Sequence, residues 1–419
     1  MNSKKLNILH ITCFDNGGAG AAALRLHKAL LKLDVESKVL VLEKRTNSPE
    51  VYQFKKTNKY FVLFQRVLKN LGFPQTLAHA NDNKYKNFKG EFEYFSFAKT
   101  DFTDLNNHPL VDSCDLINLH WVPNFIDYAS FFRNIKKPII WTQHDMNAFQ
   151  GGFHYKEDIE RNLHLKDEND EQYNYKQSAI SKLSIEALHI VSPSRWMLSE
   201  ASRSEILGRF NHYYIPNGID PENFNPMDYK QMKRQLGLDP NKINVLFVAE
   251  KVGNIRKGFK YIKTIMKDPT INLKCNFVAV GKVNLLNKVP GVKYLGTIAS
   301  ERTINEIFNA ADIFLLPSRE DNLPNVMLES LAAGTPIAGF DIGGISDIVS
   351  DGVNGFLSGN VSAEGLNEAL LKCIDNIKLF DREKISQDLL NNYTTEIQAN
   401  RYLNLYMSII NNKILCRRR

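Results

Sequence analysis

"LLPSREDNLPNVMLESLAAGTPIAGFDIGG" occupies Leu315–Gly344 and contains the pattern that decides the fold. The apolar strand predicted at Ile313–Leu316 runs into a polar turn that carries Glu320 and Asp321, and the apolar helix that follows contains Glu329. A carboxylate among buried apolar side chains is costly unless a partner satisfies it. Glu329 could pair with an arginine or bond to backbone groups, but a carboxylate can also accept two hydrogen bonds from a cis-diol. The stretch therefore predicts a strand–turn–helix unit with acids placed at the end of its strand.

The same alternation of short apolar strands and helices extends along the chain. Such alternation predicts βαβ units and a mostly parallel sheet. The predicted strands are LNILHIT, SKVLVLE, DLINLHW, KPIIWTQHD, ALHIVSPS, INVLFVAE, CNFVAVG, VKYLG, DIFLLPS and PIAGF.

One proline- and asparagine-rich stretch interrupts this alternation. YYIPNGIDPENFNP, at 213–226, is predicted to be a linker between two doubly wound halves, 1–218 and 219–395. The remaining segment, 396–419, is predicted to form a C-terminal helix that could belong to either half, and we expect it to cross back to the first. The polar segment 156–180 is weakly periodic and is predicted to be a mobile loop or a short surface helix.

Composition limits the classes of protein that the chain can be. It has 419 residues, of which 43% are hydrophobic and 24% are charged, so it can bury cores of globular size. Its five cysteines are scattered and show no metal-binding spacing, which favours a reducing compartment. No signal peptide or membrane-spanning segment is predicted. The net charge of +7 is compatible with an anionic partner but does not select its kind.

Ligands of open α/β sheets bind outside the carboxyl ends of the strands, so residues at strand ends are the first candidates. After the first strand, Gly17, Gly18 and Gly20 open a helix whose free N–H groups favour an anion. The series Gly18, Gly20 and Ala23, with Glu43 at the end of the next strand, also fits a dinucleotide fingerprint. That alternative is less favoured, because the fingerprint's first glycine should follow its strand directly.

Two further strand ends of the first half carry histidines. His144 lies at the tip of the strand in WTQHDMNAFQGGFHY, beside Asp145, and His120 follows the strand in NLHWVPN. A lone histidine is more often structural than catalytic, so position is what makes these two residues candidates, with His144 ranked first.

The first strand of the second half ends in a cluster of cations. Lys251, Arg256 and Lys257 crowd the turn before a helix. Such a cluster suits a phosphate or diphosphate, because arginine offers a bidentate fork and lysine a point charge. A charge run is usually a solvated surface turn. The place of this one at a strand end favours the anion site.

These motifs together resemble the glycosyltransferases of family 4, which have the two-domain GT-B fold. The resemblance covers most of the chain and rests on NGGAGAAALRL, WTQHDMNAFQGGFHY, SPSRWM, IPNGID, RKGF and PSREDNLPNVMLESLAAGTPIAGFDIGGISDIV. The last motif is the most specific, because it resembles the family's two acids separated by seven residues. The sequence around these motifs is similar to that of the branch of the family that builds bacterial exopolysaccharide, capsule or O-antigen. The resemblance implies two Rossmann-like domains that face each other across a cleft, with the acceptor on the side of the first domain.

The resemblance also implies roles for the residues of the second half. Glu329 would bind the ribose hydroxyls of a nucleotide-sugar, and Asp321 would contact the hydroxyls of the donor sugar, with Glu320 as an alternative. Lys257, with Arg256 or Lys251, would neutralise the leaving diphosphate. Backbone N–H groups for the sugar and diphosphate would come from the turn and helix start, namely Asn322, Leu323, Asn325 and Val326.

Two positions depart from the family's pattern. The family usually has glutamate where this chain has Asp321, and its usual arginine five residues before the lysine is Val252 here. In the first half, His144 resembles the family's strand-tip histidine near the reacting sugar. Gly17 and Gly18 would allow the donor and acceptor to approach the first domain.

The expected activity is retaining transfer of a sugar from a UDP- or GDP-sugar to a growing, lipid-linked bacterial surface glycan. No metal, no other cofactor and no nucleic acid is expected to take part. The alternatives are an epimerase or phosphorylase of the same fold, or a binding module that has lost activity.

A membrane surface is a further expected partner. Lys55–Phe73 is predicted to form a basic amphipathic helix, which could lie on an anionic membrane or pack its apolar face on the domain. The tail CRRR would add to the positive charge. The expected location is the cytoplasm, with peripheral association at the inner face of the plasma membrane.

Overall fold

A computed structural model describes residues 5–54, 76–284 and 288–417, with side chains to residue 411. The predicted amphipathic segment Lys55–Phe73 lies outside the described residues, as do the last two arginines of the tail. The chain forms two compact units. Unit 1 takes the described residues of Met1–Pro193, Met197–Ile215 and Ala399–Arg419, and unit 2 takes Ser194–Trp196 and Pro216–Gln398.

Unit 1 is built on a parallel sheet of seven strands in the order β3-β2-β1-β4-β5-β6-β7. The strands are β1 (Asn7–Phe14), β2 (Glu36–Glu43), β3 (Val51–Gln53), β4 (Leu116–Leu119), β5 (Ile139–Thr142), β6 (Leu188–Ser192) and β7 (Asn211–Tyr214). The predicted linker at 213–226 therefore begins inside β7. The central strands are buried on both faces, as a parallel sheet requires, and this explains their continuous apolar runs.

Helices connect and cover these strands. They are α1 (Gly17–Lys32), α2 (Leu77–Asn87), α3 (Pro109–Ser113), α4 (Tyr128–Asn134), α5 (Lys156–Arg161), α6 (Lys166–Ile180) and α7 (Arg195–Arg203). Short 3-10 turns lie at Leu105–Asn107, Leu163–Leu165 and Ile185–Ala187.

The prediction of a loop or short surface helix at 156–180 is wrong. The segment contains α5 and the 15-residue α6, and α6 buries Asn169, Gln172 and Lys176. Its inward face is polar rather than apolar, because these side chains bond to backbone groups of neighbouring loops. A search for apolar periodicity could not detect such a helix.

Unit 2 is built on a parallel sheet of six strands in the order β10-β9-β8-β11-β12-β13. The strands are β8 (Ile243–Lys251), β9 (Cys275–Lys282), β10 (Val292–Gly296), β11 (Ile313–Leu316), β12 (Ile337–Phe340) and β13 (Gly355–Ser358). The helices are α8 (Tyr229–Gln235), α9 (Phe259–Ile265), α10 (Pro269–Lys274), α11 (Glu301–Ala310), α12 (Asn325–Ala332), α13 (Ala363–Asp375), α14 (Arg382–Tyr393) and α15 (Thr395–Arg417).

The strand order reverses once in each sheet. In unit 1 the chain winds from β1 outward to β3 and returns to the other side of β1 with β4, and in unit 2 the same step separates β8 from β11. Both sheets are therefore doubly wound, as the alternation of strands and helices predicts. A crevice opens at the carboxyl ends of the two strands where such an order reverses.

The last helix, α15, begins in unit 2 and continues into the core of unit 1. Tyr402 and Tyr406 are fully buried in unit 1 and pack with Ile8, Leu116 and Ile140. Their hydroxyls bond to the sheet: the Tyr406 hydroxyl accepts from the Asn118 amide at 2.9 Å, and the Tyr402 hydroxyl lies 2.8 Å from Oγ1 of Thr142. Unit 1 therefore takes part of its core from the end of the chain.

One half-buried arginine bonds to the ends of two helices in unit 2. Arg382 donates to the carbonyl of Asn309 at 3.2 Å, in the last turn of α11, and to the carbonyl of Ala311 at 2.8 Å, directly after that helix. It also donates to the carbonyl of Ala333 at 3.4 Å and to the hydroxyl of Thr335 at 2.6 Å, beyond the end of α12. Burial lowers the pKa of Arg382 to about 10. A cation at two carbonyl-rich helix ends satisfies acceptors that have no partner within the helices.

We expect Arg382→Met to lower the free energy of unfolding by about 3 kcal/mol or more, because several buried carbonyls lose their donor. Urea unfolding followed by circular dichroism measures this loss. The matched control is Arg302→Met, since Arg302 is largely exposed on α11 and pairs with Glu306 one turn away. The control should change stability by at most about 0.5 kcal/mol. Equal unfolding midpoints for the two variants would contradict the role of Arg382.

Candidate functional site

Sequence candidates in both units follow the strands where the order reverses. In unit 2, Arg256 and Lys257 follow β8, and Asp321 follows β11. In unit 1, Gly17 and Gly18 follow β1, and His120 follows β4 directly. These are the positions at which doubly wound sheets bind ligands.

The turn after β8 is pressed against the end of β11. Gly258 has a φ of +73°, and a side chain there would place its Cβ 1.9 Å from the carbonyl oxygen of Pro317. Only glycine combines this backbone conformation with so close an approach. The amide of Arg319 donates to the carbonyl of Arg256 at 2.8 Å, which fixes the two segments together. The cationic turn is thereby held beside the acidic one.

Asp321 lies between the two cations of this turn. Nη1 of Arg256 is 3.2 Å from Oδ1 of Asp321, and Nζ of Lys257 donates to Oδ2. The hydroxyl of Ser318 also donates to Oδ2, at 3.1 Å. Nη1 of Arg256 donates in addition to the carbonyl of Glu320 at 3.0 Å. We call Arg256, Lys257 and Asp321 the charge cluster; it carries two positive charges and one negative.

The electrostatics of the charge cluster keep the carboxylate ionised. Asp321 is 6% exposed, and this burial alone would raise its pKa. The positive charges of Lys257 and Arg256, with hydrogen bonds from Lys257 and Ser318, outweigh burial, so the pKa of Asp321 lies below its ordinary value. Two cations are therefore held at fixed places on a buried acid.

Two glycines of the GG sequence support the backbone behind Asp321. Gly343 has a φ of +56°, and a Cβ there would lie 1.7 Å from the carbonyl oxygen of Asp321. The amide of Gly344 donates to the carbonyl of Asn322 at 2.8 Å. The side-chain oxygen of Asn322 accepts from the hydroxyl of Ser194 at 2.6 Å, within unit 2. The turn 320–324 is thus fixed on both sides.

The helix that follows this turn carries the second acid of the motif. Pro324 precedes α12, whose first residues are Asn325 and Val326. Glu329 is 9% exposed among the apolar residues of α12, as the sequence predicts. Glu320 and Leu323 are also buried in the turn.

The structure places the two candidates for the second cation, Arg256 and Lys251, in different surroundings. Val252, at the position of the family's usual arginine, is 1% exposed and packs in the hydrophobic core of unit 2. Lys251 is exposed at the end of β8. Arg256 is the cation that lies with Lys257 on Asp321. The place of the absent arginine is therefore filled by core packing, and the cation beside Lys257 on Asp321 is Arg256.

The glycine turn of unit 1 leaves space at its surface. Gly17 has a φ of +71° and begins α1, and a Cβ at Gly17 or Gly18 would meet no heavy atom within 4 Å. Gly20 is different, because a Cβ there would lie 2.6 Å from the carbonyl oxygen of Phe14. Glu43, the acid of the alternative dinucleotide fingerprint, is exposed and forms a bidentate pair with Arg45.

His144 belongs to a line of three histidines across neighbouring strands. Nε2 of His144 is 3.0 Å from Nδ1 of His120, and Nε2 of His120 is 2.9 Å from Nδ1 of His10 in β1. We call these three residues the histidine row. Burial lowers the pKa of His144 to about 4, and burial also places the pKa values of His120 and His10 well below the ordinary range. The sequence predicted the first two of these residues but not His10, which is hidden inside an apolar strand.

Asp145, beside His144, anchors the loop that follows β5. Its carboxylate accepts from Nε1 of Trp121 at 2.6 Å and lies 2.6 Å from Nδ1 of His154. The Ser96 hydroxyl is 2.6 Å from the other nitrogen of His154. Ser96 and His154 are at most 3% exposed, so this Ser–His–Asp line is a buried brace rather than an accessible nucleophile.

Lys176 holds the same loop from α6. Its ammonium donates to the carbonyls of Asn147, Gln150 and Gly151. Burial lowers the pKa of Lys176 to about 7. No pattern in the sequence predicted this contact, because the lysine lies in a segment that lacks apolar periodicity.

Neither a metal site nor a membrane span is present in the part of the chain that the structure describes. Within residues 5–54, 76–284 and 288–417, no group of three or more histidine, cysteine or acidic side chains is placed to hold a metal ion. The rings of the histidine row form a line and do not converge on a point. No described helix is long and apolar enough to cross a bilayer.

Sequence comparisons match the second unit most directly. Residues 242–376 match the family model described as glycosyl transferases group 1. The N,N'-diacetylbacillosaminyl-diphospho-undecaprenol alpha-1,3-N-acetylgalactosaminyltransferase of Campylobacter jejuni is 31% identical over 214 residues, which cover 46% of this chain and 54% of that protein. A D-inositol 3-phosphate glycosyltransferase of Stackebrandtia nassauensis is 27% identical over 161 residues, covering 34% of this chain and 36% of the relative. The chain thus spans about half the length of the first relative and about a third of the second.

Comparison with solved structures covers nearly the whole chain. Sucrose-phosphate synthase of Thermosynechococcus elongatus superposes with a TM-score of 0.69 at 14% identity, over 97% of this chain and 100% of that one. The HepE protein of Anabaena in complex with UDP-glucose gives a TM-score of 0.62 at 15% identity, over 96% of this chain and 100% of that one. At such identities the likeness shows the fold alone. The family model and these superpositions confirm the resemblance predicted from the sequence: residues 242–376 match the glycosyl transferases of group 1, and the chain has the GT-B fold.

Proposed function

We propose that the protein is a retaining glycosyltransferase that moves a sugar from a UDP- or GDP-sugar to a growing, lipid-linked glycan of the bacterial surface. The observation that carries this proposal is the charge cluster at the carboxyl ends of β8 and β11, with Glu329 eight residues after Asp321 on the buried side of α12. This arrangement offers cations for a diphosphate and an acid for a diol within one unit.

The diphosphate of the donor is assigned to the charge cluster. Lys257 and Arg256 supply two positive charges beside the single negative charge of Asp321. The turn and the start of α12 add backbone N–H groups of Asn322, Leu323, Asn325 and Val326. As the bond from sugar to phosphate breaks, negative charge grows on the leaving oxygen, and preorganised cations and N–H groups stabilise it. We therefore expect transfer without a metal ion.

The nucleoside and the sugar are assigned to the acids. Glu329 accepts hydrogen bonds from the ribose hydroxyls, since a carboxylate matches a cis-diol. Asp321 is in contact with Arg256, Lys257 and Ser318. A carboxylate has about four acceptor positions, so about one is left for a sugar hydroxyl. Its main task in this geometry is to position the two cations. Glu320, with its carbonyl bonded to Arg256, is the second acid of the turn.

Unit 1 is assigned to the reacting sugar and the acceptor. His144 at the tip of β5 contacts the sugar, and Gly17 and Gly18 leave room at the start of α1. Transfer then proceeds by attack on the face that the diphosphate leaves, with the leaving phosphate oxygen taking the proton of the acceptor hydroxyl. This route needs no protein nucleophile.

The partners are proposed from the relatives. The Campylobacter jejuni protein carries diphospho-undecaprenol in the name of its substrate, and the Anabaena structure contains UDP-glucose. We extend a lipid-linked acceptor and a nucleoside diphosphate donor to this chain. A lipid-linked acceptor places the protein at the inner face of the plasma membrane, where the net charge of +7 favours anionic lipid.

We expect one nucleotide-sugar of a UDP-, GDP- and ADP-sugar panel to bind in the presence of EDTA, and Glu329→Ala to abolish that binding, because the ribose loses its acceptor. Calorimetry and donor hydrolysis measure this, with circular dichroism as the check on folding. Failure of the folded wild type to bind any donor would favour a module that has lost activity. Accumulation of an epimerised nucleotide-sugar without acceptor would favour the epimerase.

Variants of the charge cluster should separate binding from transfer. We expect Lys257→Met to weaken UDP or GDP binding about tenfold or more, since a charge-assisted bond to the diphosphate is lost. Asp321→Asn raises the charge of the cluster from +1 to +2, so nucleotide binding should stay equal or tighten while transfer falls. Lys263→Met, on the exposed side of α9, is the matched control. Equal weakening by Asp321→Asn and Lys257→Met would mean that the carboxylate contacts the nucleotide itself.

The stereochemistry of the product tests the route of attack. We expect the new glycosidic bond to keep the anomeric configuration of the donor, because the acceptor attacks from the side of the leaving diphosphate. The one-bond carbon–proton coupling at the anomeric carbon, measured by NMR, reports this configuration. An inverted product would exclude the proposed route.

A further inference from the structure

A cavity of unit 1 lies between α4 and α6, outside the candidate site. Its volume is about 290 Å³, near the lower end of the range for ligand pockets, about 300 to 1,000 Å³. A molecule of the size of about ten liquid waters would fill it. The two helices pack against each other, and α4 contributes Ala129, Phe132 and Arg133 to the lining.

The other wall of the cavity is one side of α6 and of the turn after it. The residues of this wall are Tyr175, Ser178, Ala179 and Lys182. Intervals of three, four and seven residues place them on one side of the helix. Small side chains on both walls, Ala129 opposite Ser178 and Ala179, leave room for a ligand.

Two cations line this cavity. Arg133 lies in the last turn of α4, Lys182 follows the end of α6 by two residues, and both are exposed. Among the described residues, neither side chain has an ion-pair or hydrogen-bond partner. Burial and the carboxylate of Asp127 raise the pKa of Tyr175 to about 12, against the opposing positive charge of Arg133. The phenol is therefore neutral near pH 7 and adds no charge to the cavity.

The carbonyl groups at the end of α6 do not require Lys182. Arg209 donates to the carbonyls of Ile180, Ser181 and Leu183 at 2.7 to 3.0 Å. These are the acceptors that lack partners within a helix. The ammonium of Lys182 is thus left to the cavity.

No acidic side chain is among the described residues that line the cavity. Asp127 lies behind Tyr175, is 4% exposed and accepts from the Tyr175 hydroxyl at 3.2 Å. Glu205 bonds to Tyr173 and Gln177, which lie on another side of α6. The lining therefore carries two positive charges and no negative one.

We propose that this cavity binds a phosphate monoester of a small molecule, with the phosphate between Arg133 and Lys182. A phosphate monoester carries a charge of about −1.5 to −2 at pH 7, which matches the two cations. The guanidinium offers a bidentate fork and the ammonium a point charge. The organic part of the ligand then lies against Phe132 and the two alanines.

This site is separate from the candidate site of unit 1. Arg133 and Lys182 precede β5 and β6, whereas His144 follows β5. The two cations therefore lie toward the amino ends of the strands, and the candidate site lies at their carboxyl ends. The binding site does not rest on the proposed function.

Calorimetry of the full chain at low ionic strength, with phenyl phosphate as the probe, measures this binding. We expect Arg133→Met/Lys182→Met to weaken the binding about tenfold or more, because two charge-assisted contacts are lost. Inorganic phosphate should bind several-fold more weakly than phenyl phosphate, since it leaves the apolar lining uncovered. Lys166→Met is the matched control and should keep the wild-type affinity, because Lys166 is exposed at the start of α6 and pairs with Asp170.

A variant that fills the cavity separates a built site from surface charge. Ala179→Leu keeps both cations and takes up part of the space, so we expect it to weaken phenyl phosphate binding about tenfold. Circular dichroism checks the folding of each variant, and Ala129→Leu makes the same test should Ala179→Leu fail to fold. Unchanged affinity in the filled variant would mean an adventitious ion only and would overturn the proposal.

Hydrogen exchange locates the bound phosphate. We expect phenyl phosphate to slow amide exchange in α4 and in the second half of α6, and to leave the turn after β8 unchanged. Lys257→Met, which alters the charge cluster, should retain this binding. Binding that is lost in Lys257→Met and kept in Arg133→Met/Lys182→Met would assign the phosphate to the charge cluster and refute the cavity site.

Vesicles that contain phosphatidic acid test the other source of the same phosphate monoester. Vesicle binding that depends on Arg133 and Lys182, without binding of either soluble phosphate, would replace the small molecule by a lipid headgroup and overturn the proposal. No binding of phenyl phosphate by the folded wild type would refute the site. Neither result would alter the proposed function, whose test is donor binding that depends on Glu329.

Discussion

Parallel winding is the constraint on which the rest of the structure depends. Every described strand pairing within the two sheets is parallel, so all strands of a sheet end at the same edge. The order reverses once in each sheet, beside β1 and beside β8. Residues far apart in sequence, such as Lys257 and Asp321, or His10 and His120, are thereby brought into hydrogen-bond contact. The candidate chemistry of each unit follows from this topology and not from any single local motif.

The buried charges of the second unit pair with one another, and the backbone segments that carry them are tightly packed. Asp321 is buried and would be costly alone, but Arg256 and Lys257 lie on both of its oxygens. The approach of these segments depends on two positions without side chains, Gly258 against Pro317 and Gly343 against Asp321. Arg382 holds the far ends of α11 and α12, so the helix that carries Glu329 is fixed at both ends. The same backbone segments therefore position the site residues and stabilise the unit.

The sequence predicted the central strands and the strand-end candidates well, because apolar runs and polar turns are local signals. It missed β3, β7 and β13, which are edge or short strands with exposed or half-buried residues. It misread α6, whose buried face is polar and bonds to loops. His10 and Lys176 were also missed, since their importance comes from partners 110 and 25 to 29 residues away. The sequence predicted Glu329 on a buried helix, but no pattern predicted that Arg256, and not Lys251, would lie with Lys257 on Asp321.

The path of α15 has a consequence for synthesis on the ribosome. The residues that complete the core of unit 1, among them Tyr402 and Tyr406, are translated after every residue of unit 2. Domains generally fold in the order in which they emerge. When the last residue of unit 2 has been synthesised, Asn118 and Thr142 of unit 1 still lack the tyrosine hydroxyls to which they bond in the folded protein. Unit 2 is by then complete in sequence. The nascent chain is therefore expected to finish its second unit first, and a chaperone that binds the waiting sheet would recognise the surface that α15 later covers.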